Sequence, residues 1–118
     1  MDARIAKVVA FAQANLDRRV HVSDLAAVAG LSEPRLRHLF KKETSLSPAN
    51  YLRDQRIRTA RALLETTPLS VKQITYAVGF NDASHFIRTF KRISGLTPGD
   101  FRRRTPEAES EPKKPATG

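Results

Sequence analysis

The sequence predicts an all-α chain of seven helices, and three observations carry that prediction. Apolar residues recur at intervals of three and four, the spacing of one helix face, and not in the alternation of a strand. Capping residues and helix-breaking Gly or Pro then cut the chain into short lengths. Finally, one stretch is written twice. Residues 25–53, LAAVAGLSEPRLRHLFKKETSLSPANYLR, return in outline over residues 74–103, ITYAVGFNDASHFIRTFKRISGLTPGDFRR. Leu25, Val28 and Gly30 reappear 49 positions later as Ile74, Ala77 and Gly79; Leu36, Phe40, Lys41, Leu46 and Pro48 reappear 50 positions later as Phe86, Phe90, Lys91, Leu96 and Pro98. One residue has therefore been gained between the glycine and the helix that follows it. Each copy reads as a short apolar-striped helix, a glycine turn and a second helix bearing basic residues, which is a helix-turn-helix.

Ile5, Val8, Val9, Ala12 and Leu16 mark a first amphipathic helix of about four turns behind an Asp2 cap. A second helix over Val22–Ala29 turns Leu25, Val28 and Ala29 to a core, and Gly30 supplies the turn. Its first residue follows His21, a weaker cap than Ser70 at the equivalent place in the second copy, so the first unit is expected to start less firmly. Ser32 caps a third helix that accepts Pro34 in its first turn and runs to about Glu43. Ser47-Pro48 opens a fourth, extending to about Glu65 and carrying Tyr51, Leu52, Ile57, Ala60, Leu63 and Leu64; at 1.5 Å per residue it is roughly 27 Å long, enough to hold two units apart. Thr66-Thr67-Pro68 ends it. Ser70-Val71-Lys72-Gln73 matches a capping box for the fifth helix, Gly79-Phe80-Asn81 forms the second turn, the sixth helix runs from about Asp82 to Ile93 with Gly95 as its stop, and Pro98 begins a short seventh through Phe101. The division expected is a domain over residues 1–104, with unit one about 3–46, a linker helix about 47–66 and unit two about 70–104, followed by a disordered tail over 105–118. The tail, TPEAESEPKKPATG, has no aliphatic side chain larger than alanine and no aromatic with which to offset ordering entropy.

Composition narrows the function. The chain has 118 residues and a formal net charge of +9. Residues 105–118 contain two lysines and three glutamates, so residues 1–104 alone carry +10. Positive charge on the folded part suits a polyanion or an acidic membrane surface. The absence of cysteine excludes disulfides, thiolate metal sites and cysteine nucleophiles, and with them the methyl-transfer repair proteins that contain a similar double motif. His21, His38 and His85 lie 17 and 47 residues apart without a carboxylate at metal-ligand spacing, and no phosphate loop or nucleophile motif is present. No metal, cofactor or enzymatic activity is expected. No apolar run approaches the roughly 20 residues of a membrane span, and Met1-Asp2 lacks a basic leader, so a soluble cytoplasmic chain is expected.

Helical phasing selects the exposed faces. In the third helix Leu36, Leu39, Phe40 and the stem of Glu43 share one side, leaving Pro34, His38 and Lys41 opposite and Arg37 and Lys42 flanking. In the sixth, Phe86, Phe90 and Ile93 are expected inward, with Ser84, Arg88 and Lys91 outward and His85, Ile87 and Arg92 flanking. Arg88 is the leading base reader, because a guanidinium reaches guanine O6 and N7 together in the major groove; His38 is its counterpart. Gly30 and Gly79 are expected to serve backbone geometry alone, and Arg53, Arg56, Arg58 and Arg61 to form a solvated face of the linker helix.

At these residues the sequence resembles the DNA-binding domain of the AraC/XylS family of bacterial transcription regulators, over essentially all of Val22 to Arg104. GFNDASHFIRTFKRISGLTPGDFRR is the strongest local match: a Gly-Phe turn, Ser two places before Phe, Arg then Phe-Lys, Gly, and a closing Pro followed by an aromatic-Arg pair, here Phe101-Arg102. The resemblance implies two helix-turn-helix subdomains joined by a long linker helix, with recognition helices entering successive major grooves on one face of double-stranded DNA. Carried over position by position, it implies base contacts from Pro34, Arg37 and His38 in unit one and Ala83, Ser84 and Arg88 in unit two. Backbone contacts are expected from Ser32, Lys41, Lys42, Asn81, Lys91 and Arg92. RNA polymerase and a sensing or dimerisation domain absent from this chain are the further partners it implies. Three positions depart from the family pattern: His38 stands where Arg is usual, Ser45 where Gly is usual and Thr75 where Ala is usual. A competing reading is a helical protein-interaction module that binds nucleic acid only nonspecifically.

Overall fold

The computed structural model describes residues 1–18 and 20–104, so the expected tail lies outside the described residues. Among the described residues there are seven helices: α1 (Ala3–Ala14), α2 (Val22–Ala29), α3 (Glu33–Thr44), α4 (Pro48–Thr66), α5 (Val71–Ala77), α6 (Ala83–Ser94) and α7 (Pro98–Arg103). The caps expected at Asp2, Ser32, Ser47 and Ser70 are present, and Thr97 is an additional one. Asp2, Ser32, Ser47, Ser70 and Thr97 each accept a backbone N–H from the first turn that follows. α1 stops at Ala14, short of Leu16, where the Asn15 amide donates to the Phe11 carbonyl at 2.8 Å and turns the chain away. The start of α2 is firmer than His21 alone suggests, because Asp24 accepts the His21 N–H at 2.8 Å and supplies the acidic half of a capping box.

The duplication is a structural repeat. α2 and α5 begin 49 residues apart, whereas α3 and α6, and the starts of α4 and α7, are 50 apart. Both turns use the same hydrogen bonds: Leu31 N–H to Ala26 and Gly30 N–H to Ala27 in the first, Phe80 N–H to Thr75 and Gly79 N–H to Tyr76 in the second. These are Schellman closures, and each glycine has positive φ. The added residue is in the second turn, between Gly79 and the Asp82 cap.

Two cores result. One joins Ile5, Val8, Ala12, Leu25, Leu36, Phe40 and Leu52; the other joins Ile57, Ala60, Leu64, Ile74, Val78, Phe86, Phe90 and Phe101. Each is closed by an edge-on aromatic pair 50 residues from its counterpart, Phe40 with Tyr51 at 5.3 Å and Phe90 with Phe101 at 5.4 Å. α4 belongs to both cores. Its start matches α7 and closes unit one, while Ile57, Ala60 and Leu64 occupy in unit two the places that Ile5, Val8 and Ala12 hold in unit one, 52 residues earlier. Arg102 fastens the far end of α4 by donating to the Leu64 and Thr67 carbonyls at 3.2 and 3.0 Å, a cationic cap on carbonyls that lack helical partners.

Three expectations need correction. Ile93, in the last turn of α6, is 38% exposed, and Thr89, 3% exposed, takes the inward place one turn earlier. Arg53 and Arg56 do not lie on a solvated face: Arg53 is partly covered and pairs with Asp54 at 3.0 Å, and Arg56 is half-buried with its Nε enclosed without a partner, although Arg58 and Arg61 are exposed as expected. Gly79 does more than permit positive φ, since a Cβ there would collide with the Leu16 carbonyl oxygen.

The departures at Ser45 and Thr75 are accommodated differently. Ser45 adopts the left-handed conformation with φ of 69°, as the only positive-φ residue other than glycine among the described residues, at a cost of about 1 kcal/mol. Buried Thr75 keeps its hydroxyl satisfied by donating to the Val71 carbonyl at 2.9 Å.

Candidate nucleic-acid interface

The outer faces of α3 and α6 carry the residues selected by phasing. Pro34, Arg37, His38, Lys41 and Lys42 on α3 are exposed, as are Ser84, Arg88, Lys91 and Arg92 on α6; Ser32 and Asn81 are exposed just before them. Ala83 is partly covered at the first position of α6. Opposite these faces Leu36, Phe40, Phe86 and Phe90 are fully buried. Each helix is therefore anchored by two large side chains one turn apart and presents the intervening cations to solvent.

The two faces differ in readiness. Arg88 has no side-chain partner among the described residues, so its five N–H donors are available to a ligand. Arg37 is held by Glu33 at 3.1 Å in an i,i+4 pair, both partners about half exposed. Such an exposed pair is worth only a few tenths of a kcal/mol, little enough for a ligand to displace. At the helix starts, Ser32 accepts the Arg35 N–H, whereas Asp82 accepts both the Ser84 and His85 N–H groups at 3.3 Å. The entrance to α6 thus carries a negative charge that α3 has at Glu33, and the cations of α6 gather in its middle and last turns. His85 is turned edge-on to Phe80 at 5.4 Å, which fixes it beside the turn and off the outward stripe.

Phasing missed two residues. Arg4 and Arg35 line a shallow groove with Leu31, Pro34, His38 and Leu39, placing two more cations beside the outward stripe of α3. Arg35 could have been found from its position next to Pro34; Arg4 is 30 residues upstream, and only the packing of α1 against α3 brings it there. Arg4 also pairs with Asp2 at 3.1 Å, and that guanidinium holds the Asp2 carboxyl below the usual carboxylate range. Among the described residues no cluster of His, Cys, Asp or Glu could hold a metal ion, and no helix is long and apolar enough to cross a membrane.

Residues 25–104 match a family described as a helix-turn-helix domain. Two basic second helices in register, matched across both units and the helix between them, are decisive. The chain belongs to the AraC/XylS family. It is a sequence-specific DNA-binding domain of the kind those transcription regulators carry. It is 38% identical over 90 residues to the HTH-type transcriptional regulator GlxA of Rhizobium meliloti, covering 76% of this chain and 28% of that protein. It is 34% identical over 103 residues to the arabinose operon regulatory protein of Escherichia coli, covering 86% of this chain and 35% of that one. The chain thus spans about a third of the length of these curated relatives. Among solved structures, the DNA-binding domain of AdpA in complex with a target DNA superimposes with a TM-score of 0.82 at 32% identity, covering 84% of this chain and 89% of that one.

Proposed function

We propose that one copy of this chain binds two successive major grooves on one face of DNA, with α3 in one and α6 in the next. The observation that carries this is the pair of exposed cationic helices, each the second helix of its unit, repeated within one polypeptide across a single α4. The described residues extend 47 Å along their longest axis, which accommodates two helices one DNA turn, about 34 Å, apart. Base contacts are assigned to Pro34, Arg37, His38, Ala83, Ser84 and Arg88, and backbone contacts to Ser32, Lys41, Lys42, Asn81, Lys91 and Arg92. The DNA-binding domain is assigned to residues 1–104. It has no catalytic role and works in the bacterial cytoplasm; RNA polymerase and a sensing or dimerisation domain outside this chain are its further partners.

Selection of bound sequences from random DNA, followed by footprinting, tests the reading. Two protected half-sites about 10 bp apart are expected from a single chain, with affinity falling steeply as salt rises. A single protected half-site, an obligatory palindrome bound by two chains, or retention without sequence preference would overturn it. The last of these is what a protein-interaction module with a basic surface gives.

A further inference from the structure

α4 alone does not set the angle between the two units. Each unit packs on its own part of that helix, leaving rotation about the helix axis and bending across its middle to be restrained by whatever else the units share. A restraint is present. The Arg56 guanidinium points from the middle of α4 toward the connection after α1, where its Nη2 donates to the Arg18 carbonyl at 3.4 Å, 38 residues away in sequence. Its Nε is buried against the second glycine turn: a Cβ built on Gly79 would stand 2.8 Å from it and 3.5 Å from the Arg18 carbonyl oxygen, and would collide with that of Leu16. Three segments therefore meet at one guanidinium: the α1–α2 connection of unit one, the linker helix, and the turn of unit two that aims α6. Gly30, in the same Schellman turn of unit one, has nothing within 4 Å of an added Cβ. The close approach is thus a property of the junction and not of the turn.

We propose that Arg56 is a positioning residue that fixes the relative orientation of the two helix-turn-helix units by wedging its guanidinium between the Leu16–Arg18 segment and Gly79. An arginine suits this place because its planar fork reaches one side with Nη while the flat stem packs on a bare glycine backbone. Arg56 belongs to neither hydrophobic core, so its loss leaves both units folded and frees the joint between them. Where the two-groove reading holds, on which this consequence rests, the joint sets the half-site spacing that the chain accepts.

The test has one arm without DNA and one with it. The sequence has no cysteine, so Lys7→Cys on α1 and Lys72→Cys on α5, both exposed, give a pair of spin labels across the junction. A narrow distance distribution is expected in the parent, and a broadened or displaced one after Arg56→Ala. Arg56→Lys keeps the charge without the fork and should follow Arg56→Ala. In the second arm, affinity is measured on the selected site and on versions with the half-sites moved by one base pair. The parent's preference for the selected spacing should fall at least fivefold in both variants, with the salt dependence unchanged because no phosphate contact is lost. An unchanged distance distribution overturns the proposal. So does unchanged spacing preference with a salt slope lower by about one ion, which marks a phosphate ligand, or parent-like behaviour of Arg56→Lys in both arms. A parent without spacing preference whose labels still respond to Arg56→Ala sustains the joint and sinks the two-groove reading.

Discussion

The two helix-turn-helix units share a backbone plan, yet each carries a different weakness. Unit one ends its second helix on Ser45, a left-handed non-glycine, and presents His38 on its outward stripe; unit two ends on Gly95 and presents Arg88 without a side-chain partner among the described residues. Unit two in turn admits a buried threonine at Thr75, where unit one has Ala26, and depends on a glycine that unit one presses against. The comparison teaches that duplication conserves what the backbone needs and leaves the outward side chains free to diverge. Caps and turn hydrogen bonds are retained because they satisfy backbone groups that would otherwise be orphaned, and the aromatic closure because it fills each core. The outward residues carry no such obligation and can be spent on recognition.

The deepest shared feature is the aromatic closure, and breaking it should have the largest effect. Phe40→Ala and Phe90→Ala should each destabilise by about 3–5 kcal/mol in chemical denaturation, since both rings are fully buried. If only one did so, the two cores would not be equivalent. The glycines should then separate. Gly30→Ala bears only the positive-φ cost of about 1 kcal/mol, whereas Gly79→Ala adds a collision expected to cost about 1–3 kcal/mol more. Equal melting temperatures for the two variants would remove the junction from the account.

On DNA, Arg88→Ala should cost roughly 1–3 kcal/mol on the preferred site and relax specificity at one base, while His38→Ala should cost less. A larger loss from His38 in competition binding would reverse the assignment of the stronger reader. Ser45→Gly should stabilise unit one by about 1 kcal/mol, seen as a rise of several degrees in melting temperature, because it relieves the strained cap.

The sequence by itself determined most of this protein: seven helices, their caps, the repeat, the residue gained in the second turn and the outward stripes of α3 and α6. Those features are local or periodic. A serine before a helix, a glycine after one and an apolar side chain every third or fourth place act through neighbours within a turn or two. The family-based base and backbone contacts await the DNA experiments above. Tertiary structure alone decided that α4 closes one unit and opens the other, that Arg102 caps its far end, and that Arg4 joins the groove beside His38. It also decided that Ile93 is left uncovered and that Arg56 is enclosed. On periodicity Arg56 is one of four linker arginines with no mark to distinguish it, because what encloses it comes from Leu16, Arg18 and Gly79. Helical phase fixes the direction in which a side chain leaves its own helix, but what it meets there is set by segments that only the closed fold brings near.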